Sequence, residues 1–114
     1  MWSKRGQEFL AKSRKNVWFW LKIFITFDEG AQVDLVIDRR DNVINLCEIK
    51  FSSSEYVIDK AYSKELKHKR DVFKEQTKTR KAVHLTMITT EGVKRNAYFN
   101  DIQSEVSLDQ LFID

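Results

Sequence analysis

The run GAQVDLVIDRRDNVINLCEIKFS, residues 30–52, decides how this chain folds. Residues 32–38, QVDLVID, alternate and carry β-branched side chains, which predicts a strand. Residues 39–42, RRDN, are a polar turn, and residues 43–51, VINLCEIKF, form a second strand. Two such runs joined by a short polar turn predict an antiparallel hairpin. If residues 40–42 are the loop, Arg39 faces Val43 and Asp34 falls opposite Glu48.

That register creates an electrostatic problem. Asp34 lies between Val33 and Leu35, and Glu48 between Cys47 and Ile49, so both carboxylates interrupt apolar strands. Carboxylates opposite one another across a ladder repel. Successive side chains alternate faces, so Glu48 and Lys50 point the same way. A divalent cation compensates two facing carboxylates, and Lys50 adds further positive charge. Mg²⁺ or Mn²⁺ suits the position, because hard cations take oxygen ligands and keep several waters, needing one or two carboxylates. The main-chain carbonyl of Ile49 is a third candidate ligand. Such a metal lowers the pKa of a bound water and polarises a phosphoryl oxygen. The competing reading is a salt bridge at a sheet edge, with Lys50 pairing Glu48 or Asp34.

Outward from the hairpin, SSSE at residues 52–55 reads as a loop. From Ile58 to Thr77 the apolar period becomes helical, with Ile58, Tyr62, Leu66, Phe73 and Thr77 near one face. Asp59 is placed to cap that helix. Residues 82–89, AVHLTMIT, read as a third strand of the core. Residues 102–108 read as a last short strand, followed by a helical turn at residues 109–112. On the N-terminal side, residues 17–27, VWFWLKIFITF, favour a strand, although a buried helix would carry the same apolar pattern. Residues 3–14, SKRGQEFLAKSR, read as a helix with Ser3 as its cap. The expected fold is α/β: a mixed sheet in the order α-β-β-β-α-β, flanked by helices. With 114 residues there is room for one domain, divided into an N-terminal helix and strand at residues 1–27 and a core at residues 28–114.

Composition narrows the class. The chain is 42% hydrophobic and 32% charged, a globular balance. Charge is blocked along the sequence: net +5 over residues 1–27, −4 over 28–57, +5 over 58–81 and −3 over 82–114. An acidic hairpin between basic segments suits carboxylates that hold a metal beside cations that hold a phosphate backbone. Lys67, Arg70 and Lys74 are the candidate phosphate contacts. The other cations of residues 60–81, Lys69 among them, read as a solvated face. Trp18, Phe19 and Trp20 are either core or base-stacking residues. Cys47 is the only cysteine, which excludes an internal disulfide, and its apolar setting suits a buried thiol. His68 and His84 lack a second ligand at zinc spacing. The serines at 52–54 have no triad partners. No run is long and apolar enough to span a bilayer, and the reading is a cytoplasmic protein without a membrane partner. A phosphate-binding loop with Gly-Lys-Ser/Thr is missing, which excludes a P-loop ATPase.

Residues 30–52 resemble the PD-(D/E)XK nuclease superfamily. More narrowly, residues 30–113 resemble the nuclease-like C-terminal domain of bacterial AAA-type ATP-binding proteins. The carrying motifs are EGAQVDL at residues 29–35, EIKF at 48–51 and EVSLDQLF at 105–112. The resemblance implies a restriction-endonuclease-like fold, with Asp34 and Glu48 as metal ligands and Lys50 as catalytic lysine. It also implies a Mg²⁺- or Mn²⁺-dependent cleavage of nucleic acid, with an ATPase domain or a second copy of the chain as partner. Val33 stands where the superfamily's name has proline. The superfamily often sets a glutamate on its first helix beside the metal, and Glu8 is the candidate. A non-catalytic binding module, or a fragment acting beside an ATPase, is the alternative outcome of the same resemblance.

Overall fold

Arg40, Asp41 and Asn42 turn the chain between two eight-residue strands. A computed structural model of the protein describes residues 7–12, 18–26 and 32–108. Asn42 takes a left-handed conformation, φ 66°, which asparagine tolerates better than most residues. The strands on either side are β3 (Gln32–Arg39) and β4 (Val43–Lys50). They pair antiparallel, with Leu35 opposite Cys47 and Asp38 opposite Ile44. This is the expected register.

The sheet has six strands in sequence order, β1 to β6. β1 (Gln7–Lys12) and β2 (Trp18–Thr26) extend the antiparallel part beyond β3. The expected N-terminal helix is therefore corrected: Gln7–Lys12 is a strand, paired with β2 from Gln7–Ile23 to Lys12–Trp18. Helix propensity over a short segment is a weak preference, and pairing with an apolar neighbouring strand overrides it. The order is β-β-β-β-α-β-β, a mixed α/β sheet with one α-helix among the described residues.

After β4 the topology switches from antiparallel to parallel. Parallel neighbours need a crossover, and a helix provides it. That helix is α1 (Lys60–Thr77), which leads to β5 (Ala82–Thr89), parallel to β4. Asp59 caps its start by accepting a 2.8 Å hydrogen bond from the Tyr62 N–H, as its side-chain type suggested. Lys78, at φ 55°, ends it, with its N–H on the Lys74 carbonyl. A 3-10 turn at Phe99–Asp101 then leads to β6 (Ser104–Ser107), parallel to β5. The expected helical turn at residues 109–112 lies outside the described residues.

Alternation along the strands sends Val36, Ile44, Leu46, Val83, Leu85 and Met87 to the face that α1 covers. They form one apolar core with Leu66, Val72 and Phe73 of the helix. Fully burying each such side chain contributes about 1.5–3 kcal/mol. The row Ile44, Leu46, Glu48, Lys50 runs along β4 from this core to its rim.

Two loops are joined where that row ends. The Ser52 N–H donates to Thr90 Oγ1, whose hydroxyl donates back to the Ser52 carbonyl. Tyr56 and Val93 form a parallel bridge, with Tyr56 N–H on the Gly92 carbonyl. The C-terminal ends of β4 and β5 are thereby held together, beside the point where the sheet changes from antiparallel to parallel pairing.

Candidate functional site

The β3–β4 ladder stops at Leu35–Cys47. Beyond it β3 continues to pair with β2, through Val33 and Gln32, and β4 with β5, through Glu48, Ile49 and Lys50. The two strands part, and Asp34 and Glu48 are the first residues past the parting. One more step of the register would make them partners, as their spacing predicted. Instead, Asp34 uses its side chain in place of a ladder bond: Oδ2 accepts from the Ile49 N–H at 2.9 Å. That bond fixes one carboxylate oxygen. Oδ1 has no hydrogen-bond partner among the described residues.

Glu48 is 6% exposed. Its Oε1 accepts from Lys69 Nζ of α1 at 2.9 Å. Its Oε2 is buried and has no hydrogen-bond partner. Burial pushes the Glu48 carboxyl above its usual range and Lys69 pulls it back; the Asp34 charge raises it, while the Asp34 backbone N–H lowers it. Asp34 thus acts on Glu48 in both senses, its charge against the carboxylate and its backbone for it. Among the described residues the one other buried side-chain polar atom without a partner is the Tyr62 hydroxyl. Burial raises that phenol, and Glu48 is the next largest cause. Two unsatisfied atoms, Glu48 Oε2 and Tyr62 Oη, therefore lie within one electrostatic neighbourhood.

Lys50 shares the face of Glu48, but its ammonium does not close on a carboxylate. It lies 5.1 Å from the Tyr62 ring centroid and 5.9 Å from that of Tyr56. The rings pack edge-on at 5.7 Å. A cation over aromatic faces is held without being neutralised. The salt bridge from Lys50 to Glu48 or Asp34, the competing reading of the sequence, is not formed; Lys69 makes the Glu48 pair instead.

Sequence reasoning missed Lys69 by grouping it with the solvated cations of α1. Its side chain is 15% exposed. The signal was present: Lys69 stands three residues after Leu66 and four before Phe73, on the helix's apolar stripe. The other basic residues divide differently. Lys67 lies 3.5 Å from Asp101, Arg70 pairs with its neighbour Asp71, and Lys74 is exposed. At about 100° per residue, Lys67, Arg70 and Lys74 occupy the flank of α1 away from Lys69. They are not brought to the two carboxylates.

The remaining candidates fall outside the site. Glu8 is in β1, separated from β3 by β2 and so roughly 10 Å from it across the sheet. Among the described residues no first helix carries it toward Asp34. Cys47 is fully buried, and its thiol is pushed up to about 12 by burial and by the charges of Glu48 and Asp34. That excludes a thiolate nucleophile at neutral pH. Ser52 hydrogen-bonds within its own loop, to the Ser54 carbonyl. Trp18, Phe19 and Trp20 are residues of β2.

Among the described residues no group of three or more His, Cys, Asp and Glu side chains is placed to share a metal ion. The site offers two carboxylates and one backbone group. In an extended strand a residue's N–H and C=O point to the same edge. The Ile49 N–H points at Asp34, so its carbonyl lies on that edge too. Two carboxylates and a carbonyl suit a hard divalent cation that retains its waters. The buried, unpartnered Glu48 Oε2 fits such an ion, because an orphaned carboxylate oxygen is costly unless something binds it. No helix among the described residues is long and apolar enough to cross a membrane.

No family model matches the chain, and it matches no curated protein and no solved structure with which it was compared. The residues themselves carry the functional argument.

Proposed function

We propose that the parted end of the β3–β4 hairpin is a Mg²⁺- or Mn²⁺-dependent phosphodiester-cleaving site acting on nucleic acid. The carrying observation is Glu48 Oε2: a buried carboxylate oxygen without a partner, one residue past the end of the β3–β4 ladder, where Asp34 is also the first residue beyond it. In this reading Asp34, Glu48 and the Ile49 carbonyl hold the ion, and the mixed sheet is of restriction-endonuclease-like type. When bound, the ion supplies an acidified water and polarises a phosphoryl oxygen.

The chain's own groups divide the remaining work. The Ile49 N–H holds Asp34 Oδ2, leaving Oδ1 available to the ion. The Lys50 ammonium, cradled by Tyr56 and Tyr62 and without a carboxylate partner among the described residues, meets charge that builds on the phosphate. The Tyr62 hydroxyl donates to a phosphate oxygen or to a water beside it. Burial keeps that phenol protonated and therefore a donor.

A second reading has an observation of its own. Lys69 already pairs with Glu48 Oε1, so the carboxylate is partly compensated without any metal. A module that binds nucleic acid or protein and cleaves nothing would keep such a pair.

A melting curve with and without Mg²⁺ or Mn²⁺, run beside a cleavage assay, separates the two. A ligand that binds only the folded state raises stability by mass action. The wild type should melt higher with metal and cleave; Asp34→Asn should lose the metal-dependent shift. Replacing groups that merely orient a metal ligand typically costs about 10–100-fold, so loss of the ligand itself should lower cleavage by more than about 100-fold. Equal shifts in both proteins would mean ordinary surface binding. No shift and no cleavage would leave the binding module.

A further inference from the structure

Lys69 Nζ stands between two carboxylates. It lies 2.9 Å from Glu48 Oε1, and 3.8 Å from Glu65 Oε2 one helical turn earlier. The two acids differ in setting. The Glu48 side chain is 7% exposed and that of Glu65 is 57% exposed. A buried carboxylate without a counter-charge is expensive, so the metal-free protein needs a cation at Glu48. Lys69 is the cation it has. An ammonium and a divalent ion cannot both sit against that carboxylate without repelling each other.

We infer that Lys69 is an exchangeable internal counter-ion: it neutralises Glu48 in the metal-free protein, and it leaves for Glu65 when a divalent cation takes Glu48. The inference deepens the proposed metal site and rests on it. Three features support exchange over a fixed structural bridge. Glu48 keeps Oε2 unpartnered even with Lys69 in place, so the lysine does not complete the site. Glu65 waits on the same helix at i−4, the spacing at which side chains meet. Lys69 also has a long flexible stem, so its ammonium moves between the two acids without any change in the helix. The arrangement keeps the carboxylate ionised and aimed before metal arrives, and it sets a threshold metal concentration for loading.

The test is metal affinity, measured by calorimetric titration of the full chain with Mn²⁺ alone at one fixed, mildly alkaline pH. Lys69→Met removes the competing charge, and its dissociation constant for Mn²⁺ should fall by about tenfold or more. Lys69→Arg retains the charge and should bind no more tightly than wild type. Glu65→Gln removes the receiving acid and should weaken Mn²⁺ binding several-fold, although Glu65 touches no metal. A structural bridge predicts the reverse for Lys69→Met: a loosened Glu48 and unchanged or weaker binding. If Lys69→Met fails to fold, Lys69→Gln and the Glu65→Gln arm decide the matter.

Cleavage assayed on the same samples separates this inference from the reading beneath it. Metal binding and cleavage with an affinity insensitive to Lys69 overturns the exchange and leaves the nuclease reading standing. Tighter binding in Lys69→Met with no cleavage by any variant supports the exchange and removes the nuclease reading. No uptake of Mn²⁺ by any of the proteins overturns both.

Discussion

The two ends of the β3–β4 hairpin carry similar residues and treat them in opposite ways. At the turn end, Asp38 pairs with Lys81 at 2.6 Å, and Lys81 also donates to the Arg39 carbonyl. Arg39 grips Asp41 through two nitrogens and reaches Asn45 through a third. Asp38, Arg39 and Asp41 each have a side-chain ion-pair partner, and all are at least partly open to water. At the parted end, seven or fewer residues away on each strand, Asp34 has one oxygen fixed, Glu48 has one oxygen unpartnered in the interior, and Lys50 meets rings in place of a carboxylate. A polar cluster that closes on itself is architecture. One that stays buried with unused hydrogen-bonding capacity calls for a partner, and the proposed metal is one.

The largest effect expected from this contrast is on stability. Lys69→Met leaves Glu48 buried without its counter-charge, and breaking a buried pair by removing one partner costs about 3 kcal/mol. Lys81→Met removes the corresponding cation at the turn end. There Lys81 and Asp38 are 33% and 19% exposed, water replaces the lost partner, and the cost should be under about 1 kcal/mol. Urea denaturation of both variants at neutral pH measures the difference; similar losses would break the comparison. Acidity sharpens it. The Glu48 carboxyl is raised above its ordinary 4.5, so the folded protein holds that proton more tightly than the unfolded chain. Stability from this group is fully present below the unfolded value and is lost as pH rises through the folded one. Lys69→Met removes the influence that pulls the carboxyl down, so its stability should keep falling to a higher pH than the wild type's. Lys81→Met should follow the wild-type curve.

The same contrast explains what could be read in advance. The hairpin was legible because its register follows from alternation and from a three-residue turn. Those two facts put Asp34 level with Glu48 before any coordinates. β5 and the Asp59-capped helix were legible for similar local reasons. Lys69 was overlooked because charge was counted before position: among nine basic residues at 58–81, only its place on the apolar stripe sets it apart. Gln7–Lys12 was misread because its partner lies in another segment. A strand with few apolar residues declares itself only through what it pairs with. The Asp34–Ile49 bond and the unpartnered Tyr62 hydroxyl depend on how two strands part, and no local pattern encodes that.

A smaller effect tests whether the turn end is held by its backbone as well as by its charges. Asn42 has φ 66°, and a Cβ residue without a short polar side chain pays about 1–2 kcal/mol there. Asn42→Ala should cost about 1 kcal/mol in urea denaturation, and Asn42→Gly should be close to neutral. Neither should change metal affinity at the parted end, some eight residues along the strand. A metal dissociation constant that moved with Asn42 would mean that the two ends are not independent.

The smallest expected effect concerns the basic flank of α1. Were Lys67, Arg70 and Lys74 all phosphate contacts, each would contribute about 0.9 to the slope of log affinity against log salt. The three are not equally available. Lys67 is engaged by Asp101, which also accepts from Ser63, and Arg70 is engaged by Asp71. A cation already paired releases little on meeting a phosphate, because it must first give up its acid. Lys74 is exposed, and its ammonium has no carboxylate partner among the described residues. Filter or anisotropy titrations of a short nucleic acid across a salt series should therefore show Lys74→Ala lowering the slope by about 0.9, with Lys67→Ala nearly silent. Equal losses at all three positions would make this flank a continuous binding surface, reaching around the helix from the side opposite Lys69. No loss at Lys74 would remove α1 from nucleic-acid contact, and any binding by the proposed site would then rest on Lys50 and the loops that follow β4 and β5.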